Sequence, residues 1–219
     1  FNIDIIIMDV VKMASAVIHL VVANELNKKL NRDSNKLLIG SISPDISKLI
    51  GENKIKSHFI SEVGSDIPDI GKFLNKYKSN LTDDFVLGYF IHLYTDYLWF
   101  KYFMSELYND TMIKRLDGSV VKYDEDTLIN YVYNDYTDLN IKLIDKYNLD
   151  LKIFYNELPK FNYIIEEIPM NNIKLVVDKM GIIIENSKES KNYMFDLKNI
   201  EKFIDISVDL ILSIIDECR

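Results

Sequence analysis

Three histidines and two aspartates are the residues in this chain whose types and positions suit a metal ion. His92 and Asp96 are four residues apart, so on a helix they would share one face. His19 lies in an apolar segment, His58 lies in the most irregular part of the sequence, and Asp45 follows a proline that can aim a carboxylate rigidly. Imidazoles and carboxylates are ligands of Zn²⁺, Fe²⁺ and Mn²⁺. The spacing does not fit a compact zinc finger, so distant helices would have to assemble the site.

The pair formed by His92 and Asp96 also has a simpler explanation. Apart from tyrosines, these two residues are the only ionisable groups in the apolar segment 85–99. An ionised carboxylate in such surroundings needs a partner, and a hydrogen bond between the two side chains would satisfy both. Taken alone, the pair is better explained in that way, and all three histidines could be ordinary core residues. The metal hypothesis therefore depends on the five residues together.

Charge and cysteine content limit the class of protein. The chain has 34 acidic and 26 basic residues, a formal net charge of −8, and no Lys/Arg-rich stripe, so we expect no nucleic-acid partner. The single cysteine, Cys218, excludes a disulfide framework and a cysteine-based zinc site, and it favours an intracellular, cytoplasmic protein. The apolar runs 3–8 and 14–23 are shorter than the roughly 20 residues that span a bilayer, so we predict no transmembrane segment.

The scarcity of helix-breaking residues predicts an all-α fold. Only 7 glycines and 4 prolines occur among 219 residues, which favours a bundle of long helices. The strongest helix is predicted at 82–107, with Thr82 as its N-cap, and its apolar surface on almost every side indicates a buried central helix. The other predicted elements are helices at 13–32, 36–39, 69–77, 124–147 and 195–218, a break at 40–45, an irregular stretch at 51–70 and a second break near 117–118.

These elements suggest how the chain is organised. We expect residues 13–147 to form a metal-binding helical core. Residues 148–219 would complete the same domain with three or four further helices, with Pro159 and Pro169 near helix boundaries. Residues 1–12 would be an extension upstream of a natural start at Met13.

Four motifs occur in a fixed order around the candidate ligands. They are Met13-Ala14-Ser15-x-x-Ile18-His19-Leu20, Gly40-Ser41-Ile42-Ser43-Pro44-Asp45, Ser57-His58-Phe59 and Phe85-x-Leu87-Gly88-Tyr89-Phe90-x-His92-x-x-x-Asp96. Together, over roughly residues 13–140, they resemble the zinc-dependent phospholipase C family, in particular its uncharacterised intracellular bacterial members. The resemblance implies an all-helical fold of the phospholipase C and nuclease type, with metal ions between its helices. It also implies ligands at the five matching positions, which are His19, Asp45, His58, His92 and Asp96.

The resemblance assigns further roles. Asp96 would be a carboxylate that bridges two metals. The later segment 135–140 resembles another block of the family, which makes Asp135 and Asp138 second candidates for a ligand or supporting role. The secreted members use two more histidines and a glutamate for a third metal, and here no histidine follows His92. They also use the amino group of their first residue, which could not serve here if residues 1–12 are retained. We therefore expect one or two ions, zinc first, with iron or manganese as alternatives.

The resemblance and the ligand set predict a metal-dependent hydrolase that cleaves a small phosphoester or a lipid with a metal-activated water. His58, His92 and Asp96, with Asp45, would hold the principal ion, and His19 with Asp96 a second. Asp45 would also orient or deprotonate the water. Two alternatives remain open: a nuclease-like or phosphatase-like enzyme with the same site, and a non-catalytic helical metal-binding or interaction protein. The absence of the third-metal ligands favours the last of these.

Overall fold

The computed structural model describes residues 14–62 and 64–218, so the expected extension 1–12 and start at Met13 lie outside the described residues. Helix accounts for 65% of the structure and strand for 3%, which confirms the all-α class. The α-helices are α1 (Ala16–Leu30), α2 (Ser34–Gly40), α3 (Ile46–Leu49), α4 (Lys54–Ser57), α5 (Ile70–Tyr77), α6 (Asp84–Leu98), α7 (Glu125–Tyr147), α8 (Ile173–Glu185) and α9 (Leu197–Cys218). Single turns of 3₁₀-helix lie at Ser43–Asp45, Lys78–Asn80, Met104–Glu106, Leu151–Phe154 and Met170–Asn172.

The predicted central helix is α6, and it is buried along most of its length. Its N-cap is Asp83 rather than Thr82, because the Asp83 carboxylate accepts the backbone N–H groups of Phe85 and Val86. After Leu98 the backbone widens into a π-helical turn at Trp99–Phe103 and then tightens into the 3₁₀ turn. The predicted helix 82–107 is therefore helical over most of its length but changes its winding after Leu98.

Two glycines bring α2 and α6 into backbone contact. A Cβ atom added to Gly40 would lie 2.3 Å from the carbonyl oxygen of Phe85, and one added to Gly88 would lie 2.1 Å from the carbonyl oxygen of Leu37. Both distances are far below any real contact, so only glycine fits at either position. The contact fixes the end of α2, and the chain that follows it, against the middle of α6.

A β-hairpin that was not predicted from the sequence lies between α6 and α7. The strands β1 (Met112–Lys114) and β2 (Val120–Lys122) pair antiparallel, with Ile113 opposite Val121. The predicted break near 117–118 is the turn of this hairpin, where Gly118 has a φ of +83° that suits glycine. Each strand has only three residues, which is too short for an alternating pattern to be visible in the sequence.

The C-terminal part contains fewer helices than we predicted. The described part of 148–219 has two α-helices, α8 and α9, with two 3₁₀ turns and an irregular stretch ahead of them. One cluster of buried apolar side chains extends from α1 through α6 to α9. Among residues 14–62 and 64–218, no helix combines the length and the apolar character needed to cross a membrane.

Candidate metal centre

The five predicted ligands converge at one buried point from four segments of the chain. α1 carries His19, the 3₁₀ turn after α2 carries Asp45, and His58 directly follows α4. α6 presents His92 and Asp96 on one face, as their spacing predicts. None of the five residues is more than 5% exposed. The sequence motifs are therefore brought together by the fold.

Four of the side chains direct donor atoms toward one another. The Nε2 atoms of His58 and His92 are 3.2 Å apart. Asp96 Oδ2 lies 3.4 Å from His92 Nε2 and 3.6 Å from His58 Nε2. Asp45 Oδ1 lies 3.6 Å from His58 Nε2. The ligand atoms of Asp45, His58 and His92 all lie within 4.8 Å of one another, so this group could hold a metal ion.

The other oxygen of Asp96 belongs to a second group. Asp96 Oδ1 lies 3.3 Å from His19 Nε2, whereas Oδ2 is the oxygen near His58. The His19 ring stacks on the His92 ring with centroids 3.8 Å apart and an angle of 12°. His19, His92 and Asp96 also offer ligand atoms within 4.8 Å of one another. Asp96 therefore faces two candidate ion positions, one with each oxygen.

Hydrogen bonds behind the rings turn the Nε2 atoms of His58 and His92 toward the cluster. His92 Nδ1 lies 2.8 Å from the backbone oxygen of Ser41, which can only accept, so Nδ1 carries a proton and a metal would bind at Nε2. His58 Nδ1 lies 2.9 Å from Ser57 Oγ, which in turn lies 2.9 Å from Ser47 Oγ. Such contacts on the far nitrogen are the usual way in which proteins orient metal-binding histidines.

Burial and neighbouring charges set the protonation of the cluster. Burial lowers the pKa of His58 to about 4, and burial together with the charge of His92 lowers the pKa of His19. Burial alone would raise the pKa of Asp96, but its histidine neighbours hold the pKa well below its usual range. Burial would lower the pKa of His92, but the negative charges of Asp96 and Asp45, together with the contacts to Asp96 and Ser41, outweigh burial and raise the pKa. The cluster thus combines ionised carboxylates with two neutral imidazoles, and metal binding would displace the proton that the raised pKa favours on His92.

The contacts among the five side chains leave several polar atoms of the cluster without a hydrogen-bond partner. Within the described residues, both ring nitrogens of His19 and both carboxylate oxygens of Asp96 are buried without a hydrogen-bond partner. The distances of 3.3–3.6 Å to charged neighbours are ion-pair distances, but the directions do not meet hydrogen-bond geometry. A simple hydrogen bond between His92 and Asp96 therefore does not explain the pair. Leaving such atoms buried and unpaired is unfavourable unless something else binds them.

Two lysines that were not predicted to be buried lie close in sequence to candidate ligands. Lys48 Nζ is 3.2 Å from Asp45 Oδ1, and both side chains are almost fully buried. Lys54, one turn before His58, pairs with Asp66, and its ammonium lies 5.4 Å from the centre of the Phe100 ring. The spacing of Lys48 three residues after Asp45 could have indicated the first contact. Burial of Lys54 could not be predicted because it depends on the segment around Asp66.

Asp135 and Asp138, the second candidates for a ligand or supporting role, have other partners in the structure. The carboxylate oxygens of Asp135 accept the backbone N–H groups of Tyr193, Met194 and Phe195 at 2.6–3.1 Å. Asp138 accepts from Lys142 and from the backbone of Ser190. Neither residue belongs to the two groups of potential ligands found among the described residues. Both act as anchors between α7 and the segment before α9.

Comparisons with known proteins do not extend these observations. No family model matches the chain, and neither the curated proteins nor the solved structures contain a match. The interpretation of the site therefore depends on its own geometry and on the motifs described above.

Proposed function

We propose that this protein is a metal-dependent hydrolase of phosphoesters, with zinc as its first candidate ion. The observation that carries the proposal is the arrangement of four donor atoms from Asp45, His58, His92 and Asp96, all buried and all within ion-pair distance of a neighbour in the group. The proposal is also supported by the resemblance of the four ordered motifs to the zinc-dependent phospholipase C family. Asp45, His58, His92 and Asp96 would hold the principal ion, and His19 with Asp96 would hold a second.

The donor distances agree with the size of a zinc site. Zinc lies about 2.0–2.1 Å from histidine nitrogens, so neighbouring donors in a tetrahedron are about 3.3–3.4 Å apart. The separations that agree are those of His58 from His92, Asp96 and Asp45, at 3.2, 3.6 and 3.6 Å, and that of His92 from Asp96, at 3.4 Å. The donor set would also suit Fe²⁺ or Mn²⁺, because imidazole and carboxylate are acceptable to both.

A bound ion would supply an activated water and polarise a phosphoryl oxygen. Asp45 would orient the attacking water, since its carboxylate is the most exposed of the ligand set, at 5%. Burial alone would raise the pKa of Asp45, but the Lys48 ammonium and the contact with His58 hold it below its usual range. A carboxyl group with so low a pKa accepts a proton poorly, so orientation is its favoured role.

The charges around the site favour a small anionic ester as substrate. Lys48 places an ammonium group 3.2 Å from Asp45 Oδ1, and Lys48 is more exposed than the histidines. It marks the side from which a phosphate group would approach. The net charge of −8 opposes binding of long polyanions, which leaves a small phosphodiester or a lipid headgroup as the favoured class. A phosphatase-like activity on nucleotides would use the same groups.

A non-catalytic metal-binding protein is the second candidate, and one observation favours it. Three of the five predicted ligands, His19, His92 and Asp96, are completely buried, and His58 is 1% exposed. Structural metal sites are closed by protein ligands, whereas catalytic sites keep one position open. The two candidates therefore differ in whether a water or substrate reaches the ion.

Metal content and hydrolysis measured on the same preparations test the proposal. Wild type, purified without a histidine tag, should contain one or two equivalents of metal by elemental mass spectrometry. Asp96→Asn should contain none, and Asp138→Asn is the matched control because it alters a buried carboxylate outside the cluster. Zinc-loaded wild type should hydrolyse a chromogenic phosphodiester such as bis(p-nitrophenyl) phosphate, and Asp96→Asn should not.

The outcomes separate the candidates. Metal with hydrolysis supports the enzyme. Tightly held metal without hydrolysis of phosphodiesters, phosphomonoesters or phospholipid vesicles supports a structural site. A wild type that contains no metal, and does not bind added zinc, manganese or iron, contradicts both.

A further inference from the structure

His19 and His92 lie against each other, but their rings are oriented for different ions. The two rings are stacked, with centroids 3.8 Å apart and an angle of 12° between their planes. An imidazole nitrogen binds a metal along its lone pair, which lies in the plane of the ring. An ion in the plane of His92 is therefore roughly 3 Å from the plane of His19, farther than the zinc–nitrogen bond of about 2.0–2.1 Å. In this arrangement one ion cannot ligate both rings.

The one available nitrogen of His92 faces the principal ion position. Its Nδ1 lies 2.8 Å from the backbone oxygen of Ser41, so Nε2 is the atom that would bind a metal. Nε2 is 3.2 Å from His58 Nε2 and 3.4 Å from Asp96 Oδ2. A ring nitrogen binds one ion at a time, so His92 is not available to a second ion. The Ser41 contact also holds the His92 ring in this orientation.

The second position is left with two protein ligands. His19 Nε2 lies 3.3 Å from Asp96 Oδ1, which agrees with two donors about 3.3–3.4 Å apart around one zinc ion. Without His92, the group of His19, His92 and Asp96 has no third ligand atom, and the other group found in residues 14–62 and 64–218 does not contain His19. Zinc in proteins is usually four-coordinate, so its remaining coordination positions there would be filled by groups such as water.

His19 also lacks the supporting contact that the other two histidines have. In the part of the chain that the structure describes, both of its ring nitrogens are buried without a hydrogen-bond partner. The Nδ1 atoms of His58 and His92 each have one. The lack of such a contact weakens metal binding about 10-fold to 100-fold. Fewer ligands and an unsupported ring both predict a lower affinity at the second position.

We propose that the metal centre fills in order, with a tightly held principal ion and a weakly held second ion between His19 and Asp96 Oδ1. This inference rests on the proposed metal-dependent function and adds a form of regulation to it, because the supply of metal would set whether the centre holds one ion or two. Asp96 is the ligand that the two positions share, so the ions would bind to the two oxygens of one carboxylate.

Metal titration of chelator-stripped wild type tests the order of filling. Equilibrium dialysis against buffered free zinc, followed by elemental mass spectrometry, should show two steps of one equivalent each, separated by about tenfold or more in free zinc. In the manganese-loaded protein, electron paramagnetic resonance should show a single-ion spectrum at the first equivalent and a magnetically coupled pair at the second. The coupling is expected because one carboxylate bridges both ions. A second ion without coupling lies elsewhere and overturns the proposal.

Variants assign the two steps to their ligands. His19→Phe keeps a ring against His92 and removes both nitrogens, so it should lose the second step and retain the first. His58→Ala should instead weaken the first step, because His58 belongs to the principal position. Asn24→Ala changes a half-buried polar side chain on α1 and should leave both steps in place.

The outcomes separate this inference from the proposed function. Two equivalents that bind in a single step overturn it, and so does a His19→Phe protein whose first step is weakened as much as its second. One tight equivalent with no second step also overturns it but leaves the principal ion of the proposed function in place. A wild type that binds no ion contradicts the proposed function and this inference together. The titration and the spectrum of wild type decide the matter even if a variant does not fold.

Discussion

Asp96 and Asp135 are both fully buried carboxylates, and they differ in what the chain offers them. Asp135 receives three backbone N–H groups from the segment 193–195. Asp96 is surrounded by imidazoles at 3.3–3.6 Å, yet neither oxygen has a hydrogen-bond partner within the described residues. A buried acid that the backbone satisfies holds the fold together. A buried acid whose oxygens the fold leaves without a hydrogen-bond donor is the kind of group that a cation would stabilise.

Metal removal should give the largest difference in stability between variants of Asp96 and variants of Asp135. An ion bound at the Asp96 cluster stabilises only the folded state, by about 4 kcal/mol when free zinc is 1,000-fold above its dissociation constant. Chelation of the metal from wild type should remove that contribution to the free energy of unfolding, as measured by urea denaturation with and without zinc. In Asp96→Asn, zinc should make no difference. In Asp135→Asn, the zinc-dependent gain should remain, and its loss there would show that the two regions are not independent.

Asp135→Asn should lower the free energy of unfolding with or without zinc. The asparagine oxygen can still accept two of the three backbone N–H groups, but its NH₂ group would face the third, donor against donor. Leaving one buried donor unpaired costs about 1–3 kcal/mol. Urea denaturation in chelator measures this loss directly. Asp138→Asn is the control for a buried carboxylate on the same helix, and an equal loss there would deny Asp135 a special role.

Ser57→Ala tests the hydrogen bond that orients the His58 ring, and we expect a smaller effect, on metal affinity. The change removes the hydroxyl group 2.9 Å from His58 Nδ1, so the His58 ring would lose the contact that orients it. Losses of this kind weaken metal binding about 10-fold to 100-fold. Competition with a zinc-binding dye measures the affinity. Ser105→Ala, in the 3₁₀ turn after α6, is an exposed control that should leave the affinity unchanged.

Asp135 should also make its own contribution to the pH dependence of stability. Burial raises its pKa to about 6 from an ordinary 3.8, despite the three N–H groups that oppose the shift. The folded state therefore holds more protons than the unfolded state between these values, so this group makes stability fall as pH rises from about 4 to about 6. The slope cannot exceed about 1.4 kcal/mol per pH unit for one proton. Subtracting Asp135→Asn from wild type isolates the effect, and a difference that rises with pH would contradict it.

The sequence predicted the ligand cluster better than its surroundings. His92 and Asp96 could be predicted because helix periodicity places residues four apart on one face. His19, Asp45 and His58 needed the ordered motifs, since no local pattern reveals which distant segments meet. Lys54 could not be anticipated, because its burial depends on a contact with Asp66 from an irregular segment.

The role of Asp135 shows the limit of motif reasoning. The sequence analysis considered it as a ligand or supporting residue because of its motif. Its carboxylate accepts from backbone groups more than fifty positions away, and backbone partners leave no trace in residue type. The hairpin beside it was missed for a related reason. Its two strands are held by pairing with each other, and neither has a sequence pattern of its own.

The contact between Gly40 and Gly88 has a consequence for protein engineering. Ser41 follows Gly40, and Ser41 orients His92, which lies one turn after Gly88. A library that keeps all five ligands but varies positions 40 and 88 would still recover few metal-binding clones. A transplant of this site into another helical scaffold would likewise need the glycine pair, because five correctly chosen ligands do not by themselves encode the distance between the helices that carry them.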